Sequence, residues 1–138
     1  QFFSSNTSKF DIIFIDGLHH YEQVIKDVNN SLKILNDNGF ILLHDCLPRS
    51  IAHQAIPRYR GSWNGDVWKA LVELRTRSDL DTYTCQIDFG VGIVQKKKNT
   101  EILSIEKKNF KRLKFSDYYH NFNSFMRVID YKKALELI

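Results

Sequence analysis

An α/β fold built on a mostly parallel sheet is the class this sequence predicts, from two apolar runs that each end on a carboxylate and an amphipathic stretch between them. Phe10-Asp11-Ile12-Ile13-Phe14-Ile15-Asp16 is the first run, and Phe40-Ile41-Leu42-Leu43-His44-Asp45 is the second. Between them Tyr21, Val24, Ile25, Val28, Leu32 and Leu35 recur at helical spacing, which gives an intervening helix one apolar face. Strand, helix and strand in this order make a βαβ unit. Near-continuous apolar strands are expected where helices cover both faces of a parallel sheet. Ligands of such sheets collect outside the carboxyl ends of the strands, where Asp16 and Asp45 fall.

The remaining elements follow in order. Residues 1–8, rich in Ser and Asn, read as a loop entering the first strand. Gly17 turns the chain into Leu18-His19-His20, and the helix runs to about Asn36. Asn36-Asp37-Asn38-Gly39 is a stop and turn signal, with Gly39 suited to the left-handed position after a helix. Arg49 to Asn64 follows Pro48, carries Pro57 and shows little periodicity, so it reads as a long loop of the kind that forms lids or binding segments. A second helix is predicted from Gly65 or Asp66 to about Arg77, capped by Asn64 or Asp66, with Val67, Trp68, Leu71 and Leu74 along one side. Thr82–Ile87 and Phe89–Gln95 then read as two strands joined at Asp88, and so short a link demands an antiparallel hairpin at the sheet edge. From Thr100 onward the pattern is helical and charged. Tyr118, Phe122, Phe125, Met126 and Ile129 form an apolar stripe on a terminal helix that packs on the domain or on a partner subunit, which makes the tail a candidate homo-oligomer surface.

Composition narrows the function classes. With 138 residues, 43% of them hydrophobic and 26% charged, the chain is of ordinary globular make-up and long enough to bury a core. Its cysteines, Cys46 and Cys85, lack CxxC spacing and lie beside apolar strands, so reduced thiols in a cytoplasmic protein are expected. No apolar run approaches a membrane span, and no membrane partner is expected. The net charge of +4 comes largely from Lys96-Lys97-Lys98 followed by Lys107, Lys108, Lys111, Arg112 and Lys114. A solvated lysine face is the commoner meaning of such a run, and without interleaved aromatic motifs nucleic acid is not an expected partner. The chain opens on Gln1 and reaches its first strand at Phe10, which predicts a fragment or a processed product. No G-x-G-x-x-G turn is present, and Gly90-Val91-Gly92 speaks only of local backbone freedom.

Taken together, Asp11-Ile-Ile-Phe-Ile-Asp16-Gly-Leu-His-His20-Tyr-Glu, Asn38-Gly-Phe-Ile-Leu-Leu-His-Asp45, Trp63-Asn-Gly-Asp-Val-Trp-Lys69 and Phe89-Gly-Val-Gly-Ile-Val94 resemble the carboxyl-terminal half of class I S-adenosylmethionine-dependent methyltransferases. More narrowly they are similar to a bacterial group often found beside sugar- and polysaccharide-modifying enzymes. The resemblance covers about Lys9 to Lys97. It implies a Rossmann-like sheet whose fourth to seventh strands lie here, with the glycine-rich turn and the ribose-binding acid upstream. It also implies two parts, residues 1–98 as the carboxyl-terminal portion of a methyltransferase domain and residues 99–138 as a helical tail.

The chain is similar too to metal-dependent catechol and caffeoyl-CoA O-methyltransferases, in which an aspartate after the fourth strand and an Asp-Asn pair after the fifth hold a divalent cation beside a lysine base. That resemblance places Asp16 and Asp45 as metal ligands, puts Cys46 where the asparagine stands and puts His19 where the lysine stands. S-adenosyl-L-methionine is then the implied cofactor, with Asp16 and Gly17 beside it and a divalent cation as a further candidate. On chemical grounds His19 or His20 is the candidate base, since an unperturbed imidazole pKa of about 6.5 suits proton abstraction near neutral pH, and Asp16 would orient it. His53, Trp63 and Asp66 are candidate contacts to a small hydroxylated or sugar-like acceptor, whereas Trp68 reads as core. His44 is expected to face away from Asp45 by strand alternation and to be structural. Two other classes stay open. One is a metal-dependent hydrolase or oxygenase using Asp16, His19, His20 and Asp45, and the other is a non-catalytic binding domain.

Overall fold

The computed structural model describes residues 2–106 and 108–138, so Gln1 and Lys107 of the lysine run lie outside the described residues. Helix α1 (Phe2–Ser5) leads into β1 (Phe10–Ile15), α2 (Tyr21–Ile34) and β2 (Leu35–Leu43). After the long loop come α3 (Val67–Arg75), β3 (Asp81–Cys85) and β4 (Val91–Gln95). The tail then forms a single 3-10 turn at Phe110–Arg112, α4 (Phe115–His120), α5 (Phe122–Met126), β5 (Val128–Ile129) and α6 (Tyr131–Leu137). The sheet order is β1-β2-β4-β3-β5. Parallel pairing joins β1 to β2 and β3 to β5, while β4 is antiparallel to both its neighbours. Every strand but β4 therefore runs one way, and the sheet is mostly parallel as predicted.

The hairpin forms too, but its link is residues 86–90 rather than Asp88 alone, because Asp88 and Gly90 both take left-handed backbone to close it. Within the hairpin β4 inserts between β2 and β3, and the tail adds β5 outside β3. The turn predicted at Asn36–Gly39 is an excursion inside β2: Phe10 pairs with Leu35, and Ile12 pairs next with Phe40. Asn38, not Gly39, adopts the left-handed backbone, at φ 65°. Gly39 is required for a different reason, since a Cβ there would lie 2.9 Å from the Asp11 carbonyl oxygen.

Strand alternation sorts the core onto the two faces. Ile41, Leu43 and Val94 join Val24 and Val28 of α2 and Trp68, Leu71 and Leu74 of α3 in one cluster. Phe40, Leu42 and Ile93 point the other way and meet Ala134 of α6. Trp68 is fully buried, as the helical spacing predicts. Coverage of both faces does not extend to β1, whose Ile12 and Phe14 stay 53% and 57% exposed. Among the described residues no helix is long and apolar enough to cross a membrane.

The tail is not one continuous helix. Residues 100–106 and 108–109 are irregular, and the chain breaks again at Asn121 and at Arg127, which sits at φ 45°. Ile129 of the predicted stripe lies in β5 instead. The other stripe residues do pack on the domain: Tyr118, Phe125 and Met126 are buried in the cluster that holds Trp68, with Phe122 against it.

Polar groups explain the breaks. The left-handed turn at Arg127 lets its guanidinium reach buried Asp81 at 2.6 Å and lie 3.9 Å from the Tyr83 ring centre. Helix α3 stops at Arg75 rather than Arg77, and the tail takes the Arg75 carbonyl through Leu103 N–H and the Asn99 amide. The buried Arg75 guanidinium in turn donates to the Glu101 and Ser124 carbonyls and to the Glu101 carboxylate.

Burial opposes charge on Asp81, but hydrogen bonds from Arg127, Thr100 N–H and Tyr83 O–H outweigh it and hold its carboxyl below the usual range. A depressed carboxyl stabilises the fold above the unfolded pKa, about 3.9, and that contribution fades as pH falls through the lower folded value. Arg127→Gln removes the guanidinium from a buried carboxylate, leaves it with the half-exposed Lys97 at 3.9 Å, and is expected to destabilise the protein by about 3 kcal/mol at pH 7. Thermal melts followed by circular dichroism should show this loss, and the wild-type melting temperature should fall more steeply than that of Asp81→Asn as pH drops below about 4.

Candidate active site

The carboxyl ends of β1 and β2 bring together two acids and two imidazoles. Asp16 follows β1 directly and is partly exposed, whereas Asp45 follows β2 and is buried. His19 bridges them, with Nε2 3.3 Å from Asp16 Oδ1 and Nδ1 3.3 Å from Asp45 Oδ2. His44 lies against the same pair, its Nδ1 3.3 Å from Asp16 Oδ1 and 3.2 Å from Asp45 Oδ2. Its Nε2 meets Asp88 Oδ2 at 2.9 Å, which extends the cluster to the β3–β4 link.

His44 therefore does not face away from Asp45. Alternation holds only while backbone is extended, and Asp45 sits at φ 62°. The His44 N–H still joins the Ile15 carbonyl, but one residue later the chain turns left-handed and leaves to pair with the β3–β4 link. Both side chains consequently reach the same crevice. Burial opposes protonation of His44, yet the hydrogen bond to Asp88 and the fields of Asp45 and Asp16 outweigh it and raise its pKa. Burial also raises the pKa of Asp45, against the pull of His44 and His19.

A tripeptide from the long loop builds the floor of this site. Asn64, fully buried, donates from Nδ2 to Asp45 Oδ1 at 2.9 Å, and among the described residues its Oδ1 has no hydrogen-bond partner. Gly65, at φ 62°, packs so closely on the β1–α2 loop that a Cβ would lie 1.8 Å from the His19 carbonyl oxygen. Asp66 donates its N–H to that carbonyl and accepts the Tyr21 N–H at 2.7 Å, satisfying an orphan donor at the start of α2. Trp63, just before, stacks on the His19 ring at 5.3 Å between centroids and offers its carbonyl to Nδ1 at 3.3 Å. The Trp63 indole donates to Ala55 O, which anchors it to its own loop.

The other sequence-predicted residues are placed elsewhere. His20 is the residue before α2, and its ring meets the edge of Trp63 without a bond to the acid pair among the described residues. Asp66, proposed as an acceptor contact, is a buried scaffold group held by Tyr21 and Lys69. His53 lies inside the loop with Nδ1 buried and unpartnered, while its carbonyl receives Asn64 and Gly65 N–H. Gly17 is open, with nothing within 4 Å of where a Cβ would be.

Ligand chemistry can be tested on these donors. Asp16, His19 and Asp45 each present one atom within 4.8 Å of the others, an oxygen–nitrogen–oxygen set. Such a set fits a divalent cation that accepts imidazole as well as oxygen. Cys46 does not belong to it: the thiol is wholly buried, points at the Leu43 carbonyl, and burial pushes its pKa up to about 12. Asn64 supplies the amide beside Asp45 that the position after Asp45 lacks. Only the Trp63-Asn-Gly-Asp run hinted at it in the sequence, and its nearness to Asp45 needed the folded loop.

Gly65→Ala should be far more damaging than Gly61→Ala. Both glycines have positive φ, but nothing lies within 4 Å of a Cβ at Gly61. Left-handed strain of about 1 to 2 kcal/mol is expected at each. At position 65 the clash with His19 adds about 1 to 3 kcal/mol, which chemical denaturation of the two variants would measure.

Residues 1–46 match a family model described as a methyltransferase domain. No curated protein matches the chain. The matched segment contains Asp16, His19, His44 and Asp45 and ends one residue beyond the last of them. The β1–α2–β2 unit, with its acid and imidazole cluster, is thus the part of the chain that is similar to a methyltransferase domain.

Proposed function

We propose that the chain is the acceptor-activating part of a class I S-adenosylmethionine-dependent methyltransferase acting on the hydroxyl of a small molecule. The observation that carries this reading is the gathering of Asp16, His19, His44 and Asp45 at the ligand end of two adjacent parallel strands, inside the segment matched to a methyltransferase domain. When bound, the adenosyl cofactor supplies an electrophilic methyl on its sulfonium. This chain's task is then to hold the acceptor oxygen in line and remove its proton.

His19 is suited to the proton. In its neutral form the ring nitrogen on the exposed Asp16 side takes the hydroxyl proton as the oxygen attacks, and the resulting imidazolium lies between two carboxylates. Trp63 stacking and the Asp45 contact fix the ring, so little reorientation is needed. Asp16 and the open backbone at Gly17 are the groups proposed to face the cofactor. Asp16, His19 and Asp45 would also hold a divalent cation, whose charge would lower the acceptor hydroxyl pKa and leave His44 as the imidazole beside the pair. The same donors could serve a metal-dependent hydrolase, but His20 lies outside the set and the methyltransferase match favours methyl transfer.

Calorimetric titration of S-adenosylhomocysteine into the 138-residue chain, and into any longer native form bearing a glycine-rich first strand, tests the cofactor. Binding to neither, with both folded, overturns the assignment. In a form that turns over, His19→Ala is expected to lower kcat by about 10²- to 10⁴-fold while leaving S-adenosylhomocysteine affinity unchanged. Equal turnover by wild type and variant would remove His19 from the mechanism.

A further inference from the structure

We infer that a second cavity at this end of the sheet, walled by the tail, binds the ring of an anionic hydroxy compound, with Arg49 holding its carboxylate or phosphate. The inference deepens the methyl-transfer reading and rests on it only for treating this compound as the acceptor.

The cavity measures about 770 Å³ and lies between the loop after β2, the β3–β4 link and helices α4 and α5. That volume falls within the range of roughly 300 to 1,000 Å³ usual for small-molecule sites. Phe115, Tyr118, Tyr119 and Phe122 form its aromatic side. Three of them are braced: Phe115 stacks on Tyr118 at 5.4 Å, Phe122 meets Tyr118 edge to face at 5.4 Å, and the core residue Trp68 backs Tyr118 at 5.1 Å. Tyr119 is 71% exposed and meets the neighbouring His120 ring edge to face at 5.5 Å. Fixed aromatic faces and edges favour a flat ring over a flexible chain, because ring pairs gain from stacked and edge-on geometry without a large ordering cost.

The opposite side is charged. Arg49 lies 4.8 Å over the Phe89 ring and donates one hydrogen bond to the Asp88 carbonyl at 3.3 Å. Among the described residues it has no carboxylate within ion-pair reach, so most of its donors are left for a ligand, and a guanidinium takes a carboxylate or phosphate through two parallel bonds. The Asp88 carboxylate is engaged away from Arg49, by His44 Nε2 at 2.9 Å. That same contact ties the cavity to the cluster: Asp88 lines the cavity, and His44 alone stands between it and the Asp16/Asp45 pair. The cavity thus adjoins the acid and imidazole cluster through the Asp88–His44 contact.

NMR titration of the 138-residue chain with 4-hydroxybenzoate, phenyl phosphate, phenol and acetate, all without adenosyl cofactor, tests the inference. At least one ring-bearing anion should bind about tenfold or more tighter than both phenol and acetate, and the better of the two tells carboxylate from phosphate. Arg49→Gln should abolish that margin and leave phenol binding unchanged, while Tyr119→Ala should weaken every ring-bearing probe. Both side chains are exposed, so neither variant threatens the fold. An anion that binds no tighter than phenol or acetate, or a margin that survives Arg49→Gln, overturns the inference. Because the readout omits the cofactor, anion binding with no S-adenosylhomocysteine binding would fault the methyl-transfer reading alone.

Discussion

The clamp made by Asn64, Gly65 and Asp66 is the constraint on which the site depends. In three consecutive residues it fixes both strand ends and the start of α2: Asn64 holds Asp45, Gly65 lies against the His19 carbonyl, and Asp66 takes the Tyr21 N–H. Each contact uses a different property, a side-chain amide, the lack of a Cβ and a carboxylate. No two of these positions could be exchanged. The clamp also begins α3, so the packing of Trp68 and Leu71 into the core pulls directly on the loop that carries His19.

A second polar set binds the tail to the same body. Asp81 and Arg127 join the start of β3 to the end of α5, and Arg75 joins the end of α3 to Glu101 and Ser124. Buried charges of this kind are poor sources of net stability, but they restrict how partners can dock, because any other arrangement leaves a charge unpaired in a low-dielectric interior. The consequence here is register. Tyr118 and Phe122 are carried to the ligand end of the sheet, where they face Arg49 and the β3–β4 link. The tail thus walls a cavity at the carboxyl end of the sheet.

Imidazole and carboxylate balance one another in the cluster. Every ring nitrogen of His19 and His44 faces an oxygen, and His44 has its charge favoured by Asp88 and the acid pair despite burial. Asp45, the most buried acid, has its carboxyl pKa raised. Both shifts favour the protonated form, and titratable groups perturbed together in one crevice are a feature of functional sites. The surrounding clamp holds Asp45 and the His19 loop in place beside one another.

Family resemblance and imidazole chemistry nominated His19 alongside His20, while periodicity and turn signals determined the βαβ unit, the hairpin, the buried role of Trp68 and the placing of Asp16 and Asp45 at the strand ends. Those features follow from local rules: apolar spacing, turn residues and link length act over a few residues and can be read in one dimension. Only tertiary structure decided that His44 joins the cluster, that Asn64 supports Asp45 while Cys46 is sealed in the core, and that Asp66 is scaffold. It also decided that the tail stripe breaks into two short helices and a strand. The physical reason is common to all of them. A left-handed residue at Asp45 or Arg127 and a close approach at Gly65 are selected by contacts with chain segments some 20 to 50 residues away, such as Asn64 with Asp45, Gly65 with His19 and Asp81 with Arg127, and no local preference encodes them.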